Sequence, residues 1–130
     1  MIVVDNTVLI DFWAGEEPFR SDAKRLFRMD SDWIAPGLWF YEFGNVMSKL
    51  ARLNVISESR KKQAWSDALE MVRSFHEIDA YGVDRLAESK GLKFYDAAYV
   101  WLAQSQECVL HTRDKQILRE CSDVAVAMPL

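Results

Sequence analysis

Short apolar runs alternate with longer amphipathic segments along this chain, and the two patterns predict strands and helices respectively. The predicted strands are residues 2–4, 33–35, 108–112 and 124–127, with a brief extended piece at 76–79. The predicted helices are residues 7–14, 19–29, 38–53, 57–75, 83–90, 92–106 and 113–119. Alternation of this kind predicts an α/β fold with a mostly parallel sheet of about four to five strands, covered on both faces.

The size and composition of the chain fit one soluble globular domain that spans residues 1–130, with half of the residues apolar and 28% charged. No apolar run approaches the roughly 18 residues that a membrane span needs. The first residues also lack the basic and apolar regions of a secretion signal. We therefore expect a cytoplasmic protein without membrane contact.

The net charge of −4 argues against a protein that binds nucleic acid through a broad basic surface. It leaves room for an enzyme whose acidic cleft holds cations that then bind phosphate. The two cysteines, Cys108 and Cys121, lack the spacing of metal ligands, and we expect Cys108 to be buried.

Four acidic residues share one kind of position. Asp5 ends the first strand and Asp114 follows the 108–112 strand, while Glu42 and Asp96 lie near the starts of helices. In a parallel α/β sheet the strand carboxyl ends and the helix N-termini meet at one edge. The four carboxylates are therefore expected to approach one another in a cleft.

A simpler interpretation exists for each carboxylate alone, because acidic side chains are common in first turns, where they cap amides and offset the helix dipole. For Asp11 we expect only such a capping or surface role. The two histidines, His76 and His111, have no partner in the pattern. Only convergence of several carboxylates would indicate a site.

Convergence of carboxylates has an electrostatic cost that a cation offsets. Two carboxylates about 5 Å apart repel by roughly 3 kcal/mol at an effective dielectric constant of 20. Oxygen ligands without His or Cys favour Mg²⁺ or Mn²⁺ over Zn²⁺. Because Mg²⁺ commonly binds phosphate oxygens, we expect a phosphodiester substrate and a metal-activated water.

Four segments of the chain resemble the acidic motifs of PIN-domain ribonucleases, in the same order. They are VVDNTVLI (3–10), WFYEFGNV (39–46), YDAAY (95–99) and HTRD (111–114). The resemblance spans essentially the whole chain and is closest to the VapC toxins of type II toxin–antitoxin pairs.

This resemblance implies an α/β/α sandwich and a Mg²⁺- or Mn²⁺-dependent endoribonuclease that leaves a 5′-phosphate and a 3′-hydroxyl. By motif match, the metal-binding and catalytic carboxylates are Asp5, Glu42, Asp96 and Asp114. Thr7 and Thr112 match supporting polar positions. Gln116 and Ile117 stand where some members carry a further acidic or polar residue, so the number of metals stays open.

The resemblance also implies partners: an RNA substrate, a small cognate antitoxin and a second copy of the chain in a homodimer. Lys93, Arg113 and Lys115 flank the carboxylates and are candidates for RNA contact or for plain solvation. Four aromatic residues are candidates for either core or partner contact, namely Phe12, Trp13, Trp39 and Trp65.

Two alternatives remain beside the ribonuclease. A receiver-like phosphoacceptor domain needs an acidic pair after the first strand and a lysine on the last, and the chain has neither. A catalytically idle PIN-like module that binds protein or RNA is less consistent with carboxylates at all four motif positions.

Overall fold

A computed structural model of the chain describes residues 1–128, and within them it contains five strands and seven helices. The strands are β1 (Ile2–Val4), β2 (Trp33–Pro36), β3 (Val72–Phe75), β4 (Leu110–Thr112) and β5 (Ala125–Ala127). The helices are α1 (Asn6–Ala14), α2 (Phe19–Met29), α3 (Trp39–Arg52), α4 (Glu58–Met71), α5 (Ala80–Lys90), α6 (Phe94–Ser105) and α7 (Lys115–Glu120).

The five strands form one sheet in the order β3-β2-β1-β4-β5, and every neighbouring pair is parallel. The central strand β1 is buried along its whole length. It pairs with β2 through Val3 and Ile34, and with β4 through Val3 and Leu110. Burial on both sides explains why β1 is a purely apolar run.

The strand order distributes the helices over both faces of the sheet. The chain moves outward from β1 to β3 and then returns past β1 to β4 and β5. Right-handed crossovers in opposite directions place their helices on opposite faces. Accordingly α1, α3 and α4 pack against one another, whereas α6 packs against α5 and three strands. The predicted α/β/α sandwich is confirmed.

Local sequence explains where several helices begin and end. The side chains of Asp5, Ser57, Asp79 and Asp114 each accept a backbone hydrogen bond at the N-terminus of a helix. Gly91 ends α5 with a φ of 64°, a left-handed conformation that glycine adopts at little cost.

The aromatic residues that left a choice between core and partner contact belong to the core. Trp13 and Trp39 are buried, and Phe12 and Trp65 are partly buried against the same cluster. The rings of Trp13 and Phe43 meet edge to face at 5.5 Å, as do those of Phe43 and Trp65 at 5.0 Å. Edge-to-face packing of this kind adds to the stabilisation from burial.

The prediction of a helix that runs on to Phe75 is wrong. Helix α4 ends at Met71, and Val72–Phe75 is strand β3, which pairs with β2. The apolar spacing of α4 continues into this segment, so periodicity alone does not mark the boundary. The extended piece predicted at 76–79 lies just after the strand instead of forming it.

Two smaller expectations also need correction. Strand β4 begins at Leu110, and Cys108 before it is half-buried instead of buried. Helix α5 begins at Ala80, three residues before the predicted start, because Asp79 caps it. No helix among residues 1–128 combines the length and apolar character that crossing a bilayer requires.

Candidate active site

The carboxyl ends of β1 and β4 lie side by side at the point where the strand order changes direction. Open α/β sheets bind their ligands in the crevice at such a point. Asp5 directly follows β1, and Asp114 lies two residues beyond the end of β4. The structure therefore brings these two predicted site residues to the same crevice.

Asp5 is held by neutral hydrogen-bond donors. Its Oδ1 accepts hydrogen bonds from the Thr7 hydroxyl at 2.6 Å and from the Val8 amide at 3.2 Å. Its Oδ2 accepts a hydrogen bond from the Thr112 hydroxyl. The carboxylate is buried, and desolvation raises the pKa of Asp5 although these donors oppose the shift.

Thr112 connects Asp5 to Asp114. Its hydroxyl donates to Asp5 and accepts the backbone N–H of Asp114 at 2.9 Å. One oxygen of Asp114 in turn accepts the Ile117 amide at 2.9 Å and caps α7. Thr7 and Thr112 thus both donate to Asp5, and their supporting role at a site stays a prediction. Asp5 and Asp114 also cap helices.

Glu42 approaches the same crevice from α3. Its Oε1 accepts a hydrogen bond from the Tyr99 hydroxyl at 2.8 Å. Desolvation raises the pKa of Glu42, and the charges of Asp96 and Asp5 add to the shift. Burial raises the pKa of Tyr99 well above its usual range, which keeps this phenol a neutral donor. Glu42 is half-buried.

Asp96 lies in the first turn of α6 and, within residues 1–128, accepts no hydrogen bond from another side chain. Desolvation raises the pKa of Asp96, and the charges of Asp114 and Asp5 raise it further. Lys93 lowers it in part. Among the four carboxylates, Asp96 alone accepts no hydrogen bond in the part of the chain that the structure describes.

The four carboxylates thus repel one another across one crevice, without a cationic side chain paired to any of them among the described residues. They are not, however, drawn into a coordinating arrangement. Between residues 1 and 128 no three His, Cys, Asp or Glu side chains are grouped closely enough to hold a metal. Their role as metal ligands stays a prediction.

The expectation that Asp11 is a capping or surface residue is wrong. Asp11 is buried, and its carboxylate forms a two-point ion pair with Arg113, at 2.7 Å to Nε and 2.9 Å to Nη2. The guanidinium also lies 3.9 Å from the centre of the Phe19 ring. The partners are 102 positions apart, so no local pattern reveals the pair.

The three flanking cations differ in their surroundings. Arg113 forms an ion pair with Asp11, which ties the segment after β4 to α1. Lys93 and Lys115 are exposed, and neither forms an ion pair within the described part of the chain. Lys93 is close enough to Asp96 to lower its pKa.

Sequence reasoning missed Tyr99 as a contact of Glu42 and missed a cavity of about 520 Å³ that borders Glu42. Tyr99 follows Asp96 by three residues, which places both on one side of α6. This spacing could have indicated that Tyr99 reaches the site. The cavity has no sequence signal. Its lining residues are Asn6, Leu38, Tyr41, Glu42, Asn45, Val46 and Tyr95.

Comparison with known proteins agrees with this geometry. The family model described as PIN domain matches residues 2–121. The chain belongs to the PIN domain family. The curated protein Exonuclease VapC9 of Pyrobaculum aerophilum is 33% identical over 81 residues, which are 62% of this chain and 61% of that protein. The matched segment thus leaves more than a third of that relative uncovered.

Solved structures show the same fold. PAE2754 from Pyrobaculum aerophilum superimposes with a TM-score of 0.77 and 24% identity, over 97% of this chain and 87% of that one. A toxin–antitoxin complex from Klebsiella pneumoniae gives 0.71 and 19%, over 97% and 96%. FitAcB from Neisseria gonorrhoeae gives 0.65 and 16%, over 99% and 97%.

Membership of the PIN domain family removes the receiver-like alternative. The strand order agrees, since receiver-type sheets follow the order 2-1-3-4-5, whereas this PIN domain has β3-β2-β1-β4-β5.

Proposed function

We propose that this PIN domain is a metal-dependent endoribonuclease and the toxin of a type II toxin–antitoxin pair. The observation that supports it most is the set of four mutually repelling carboxylates at the switch point of the sheet, three of which have raised pKa values. A fold gains nothing from such repulsion unless a ligand offsets it. The name of the curated relative supports nuclease chemistry.

The donor set fits a hard divalent cation, Mg²⁺ or Mn²⁺. All four candidate ligands are carboxylates, namely Asp5, Glu42, Asp96 and Asp114, and oxygen donors without His or Cys favour these ions. Because the side chains stand apart in the structure, a bound cation would have to draw them together. When bound, the cation lowers the pKa of a water and offsets charge on the phosphate.

The remaining roles in the proposed reaction belong to side chains of the protein. Thr7 and Thr112 hold the Asp5 carboxylate, and Tyr99 holds Glu42. Asp96 accepts no hydrogen bond in the described part of the chain, so its carboxylate is the one most free to meet a bound cation or the attacking water. Exposed Lys93 is placed to attract the RNA phosphate beside it.

Cleavage of purified RNA by the purified chain tests the proposal. We expect cleavage in millimolar Mg²⁺ or Mn²⁺, none in EDTA, and products with a 5′-phosphate and a 3′-hydroxyl. Asp96→Asn should lack the activity while keeping the circular dichroism spectrum of the parent. If parent and Asp96→Asn preparations cleave equally, or if neither cleaves, the idle PIN-like module takes the place of the enzyme.

Exonuclease action is a second candidate, which the name of the curated relative favours. A circular single-stranded RNA separates the two, because an exonuclease needs an end. We expect the chain to linearise the circle. If only the matching linear RNA is degraded, the chain acts as an exonuclease and the proposed endonuclease activity is wrong.

The proposed protein partners are a small antitoxin and a second copy of the chain. The superimposed toxin–antitoxin complex from Klebsiella pneumoniae supports the antitoxin. Purification from the native host should yield a small second protein that suppresses cleavage, and light scattering should give the mass of a homodimer. Fractionation of that host should place the complex in the cytoplasm.

A further inference from the structure

The cavity beside Glu42 carries two tyrosines that the proposed chemistry does not use. Tyr41 on α3 is 78% exposed and Tyr95 on α6 is 58% exposed. Neither hydroxyl has a hydrogen-bond partner within residues 1–128. The Tyr41 ring packs edge-on against Phe40 at 5.4 Å, which restricts its orientation. Exposed, oriented aromatic rings beside a crevice indicate a surface for stacking.

The floor of the same cavity is polar. Asn6 at the start of α1 lines the cavity, and its amide oxygen is buried without a hydrogen-bond partner in the described chain. Asn45, one turn after Tyr41 on α3, contributes an exposed amide that is equally unpartnered. A buried amide oxygen without a partner costs free energy until a donor meets it. Asparagine amides offer both donors and an acceptor, as the edge of a base requires.

We infer that this cavity is a nucleobase subsite, in which one unpaired RNA base stacks on Tyr41 and Tyr95 and pairs its polar edge with Asn6 and Asn45. The inference rests on the proposed ribonuclease function and adds a source of sequence preference to it. Glu42 lines the cavity and is also a proposed metal ligand. The bound base therefore belongs to a nucleotide next to the phosphate that is cleaved.

The charge of the protein favours a base over other contacts with RNA. A net charge of −4 disfavours binding of RNA through a broad basic surface, whereas stacking on aromatic rings needs no cationic side chain. A second cavity of about 570 Å³ shares Leu38 and Tyr41 with the Tyr41–Tyr95 cavity, and Trp39, Leu69 and Ile78 contribute to its other walls, which suits a protein partner better. The amides of Asn6 and Asn45 and the Tyr95 ring line only the Tyr41–Tyr95 cavity.

The test compares Tyr41→Ala and Tyr95→Ala with Tyr81→Ala, a control tyrosine on α5 that is 71% exposed and outside the cavity. Sequencing of RNA ends first locates the bond that the parent cleaves. The probes are fluorescein-labelled single-stranded RNA 12-mers around that bond, either intact or abasic at one flanking nucleotide. Cleavage gives kcat/KM, and fluorescence anisotropy with the Asp96→Asn chain gives Kd.

We expect Tyr41→Ala and Tyr95→Ala each to lower kcat/KM about ten- to hundredfold on the intact RNA, the range for loss of one stacked base. Tyr81→Ala should stay within twofold. On the RNA that is abasic at the bound nucleotide, all variants and the parent should converge. Tyr41→Trp and Tyr95→Phe, which keep a ring, should restore most of the loss.

The opposite results are equally specific. A loss that is the same on intact and abasic RNA shows structural damage and overturns the subsite, as does unchanged cleavage by both alanine variants. A change of oligomeric state with unchanged cleavage assigns the tyrosines to a protein contact instead. If the parent cleaves no RNA, the proposed function fails, and anisotropy with a fluorescein-labelled single-stranded RNA 12-mer of mixed sequence then decides: unchanged Kd in the alanine variants overturns the subsite, and a raised Kd supports it.

Discussion

Asp5 and Asp11 are two aspartates six positions apart that are almost equally buried, with 6% and 5% of their surface exposed. Asp11 is met by the guanidinium of Arg113 at two points. Asp5 is met only by hydroxyls and an amide, and by the repulsion of Asp114. One charge is neutralised within the protein, and the other is left for a ligand.

The difference separates a structural acid from a candidate metal ligand. A buried carboxylate with a cationic partner fixes two parts of the chain relative to each other. A set of buried carboxylates with neutral partners keeps its attraction for an added cation. Here the structural pair is next in sequence to one of the candidate ligands, because Arg113 precedes Asp114 by one residue. The ion pair therefore fixes the backbone that leads into Asp114.

Loss of the donor-free carboxylate should have the largest effect. We predict that Asp96→Asn lowers kcat/KM for RNA cleavage by about a thousandfold, equivalent to about 4 kcal/mol in the barrier. Without metal its thermal stability should equal or exceed that of the parent, since one repelling charge is removed. Calorimetry beside the cleavage assay checks both. A less stable Asp96→Asn chain would contradict the electrostatic argument.

Removal of the guanidinium should come next and act on stability. Arg113→Met leaves the Asp11 side chain, 7% exposed, without its cation, and should cost about 3 kcal/mol in free energy of unfolding. Urea denaturation measures the cost. As a control, Arg119→Met breaks an exposed pair with Glu120 and should change stability by less than about 0.5 kcal/mol. If the two variants unfold at the same urea concentration, the buried pair does not stabilise the fold.

The two threonines on Asp5 allow a matched comparison. Thr112 is fully buried and bonds both Asp5 and the Asp114 amide, whereas Thr7 is exposed and bonds Asp5 alone. Thr112→Val should cost about 2 kcal/mol and Thr7→Val about 0.5 kcal/mol. Thermal denaturation of both variants is the measurement. If Thr7→Val lost more stability than Thr112→Val, burial would not determine how much these hydrogen bonds stabilise the fold.

The smallest effect concerns metal and pH. Mg²⁺ or Mn²⁺ at ten times its Kd should stabilise the parent by about 1.4 kcal/mol, roughly 4 °C in Tm. Asp96→Asn should respond less. Unchanged melting in millimolar metal would mean that the carboxylates do not share a cation.

The raised pKa values of Asp5, Glu42 and Asp96 mean that the folded protein binds protons more tightly than the unfolded chain. This contribution to stability is present below the ordinary carboxyl pKa values of 3.8 and 4.5 and is lost as the pH rises through the raised values. Metal-free protein should therefore melt at a higher temperature on mild acidification from neutral pH, while the gain from metal shrinks. A melting temperature that falls with mild acidification would contradict the assigned shifts.

The sequence predicted the fold order and the four carboxylates because both depend on local signals. Apolar strands and caps such as Asp5 and Gly91 mark element boundaries within a few residues of themselves. The boundary at Val72 was missed because helical spacing continues into β3. The pairing of Asp11 with Arg113 was missed because it depends on the strand order, which no local pattern encodes.

The central position of β1 has a consequence for synthesis of the protein. Asp5 is synthesised well before its hydrogen-bond partner Thr112, which lies 107 positions later in the chain. Until β4 has been made, β1 lacks one of its two neighbours, and neither Thr112 nor Asp114 exists. An unfinished chain that stops before β4 therefore cannot assemble the crevice. If the domain degrades RNA, its activity begins only after translation of its own message has passed β4.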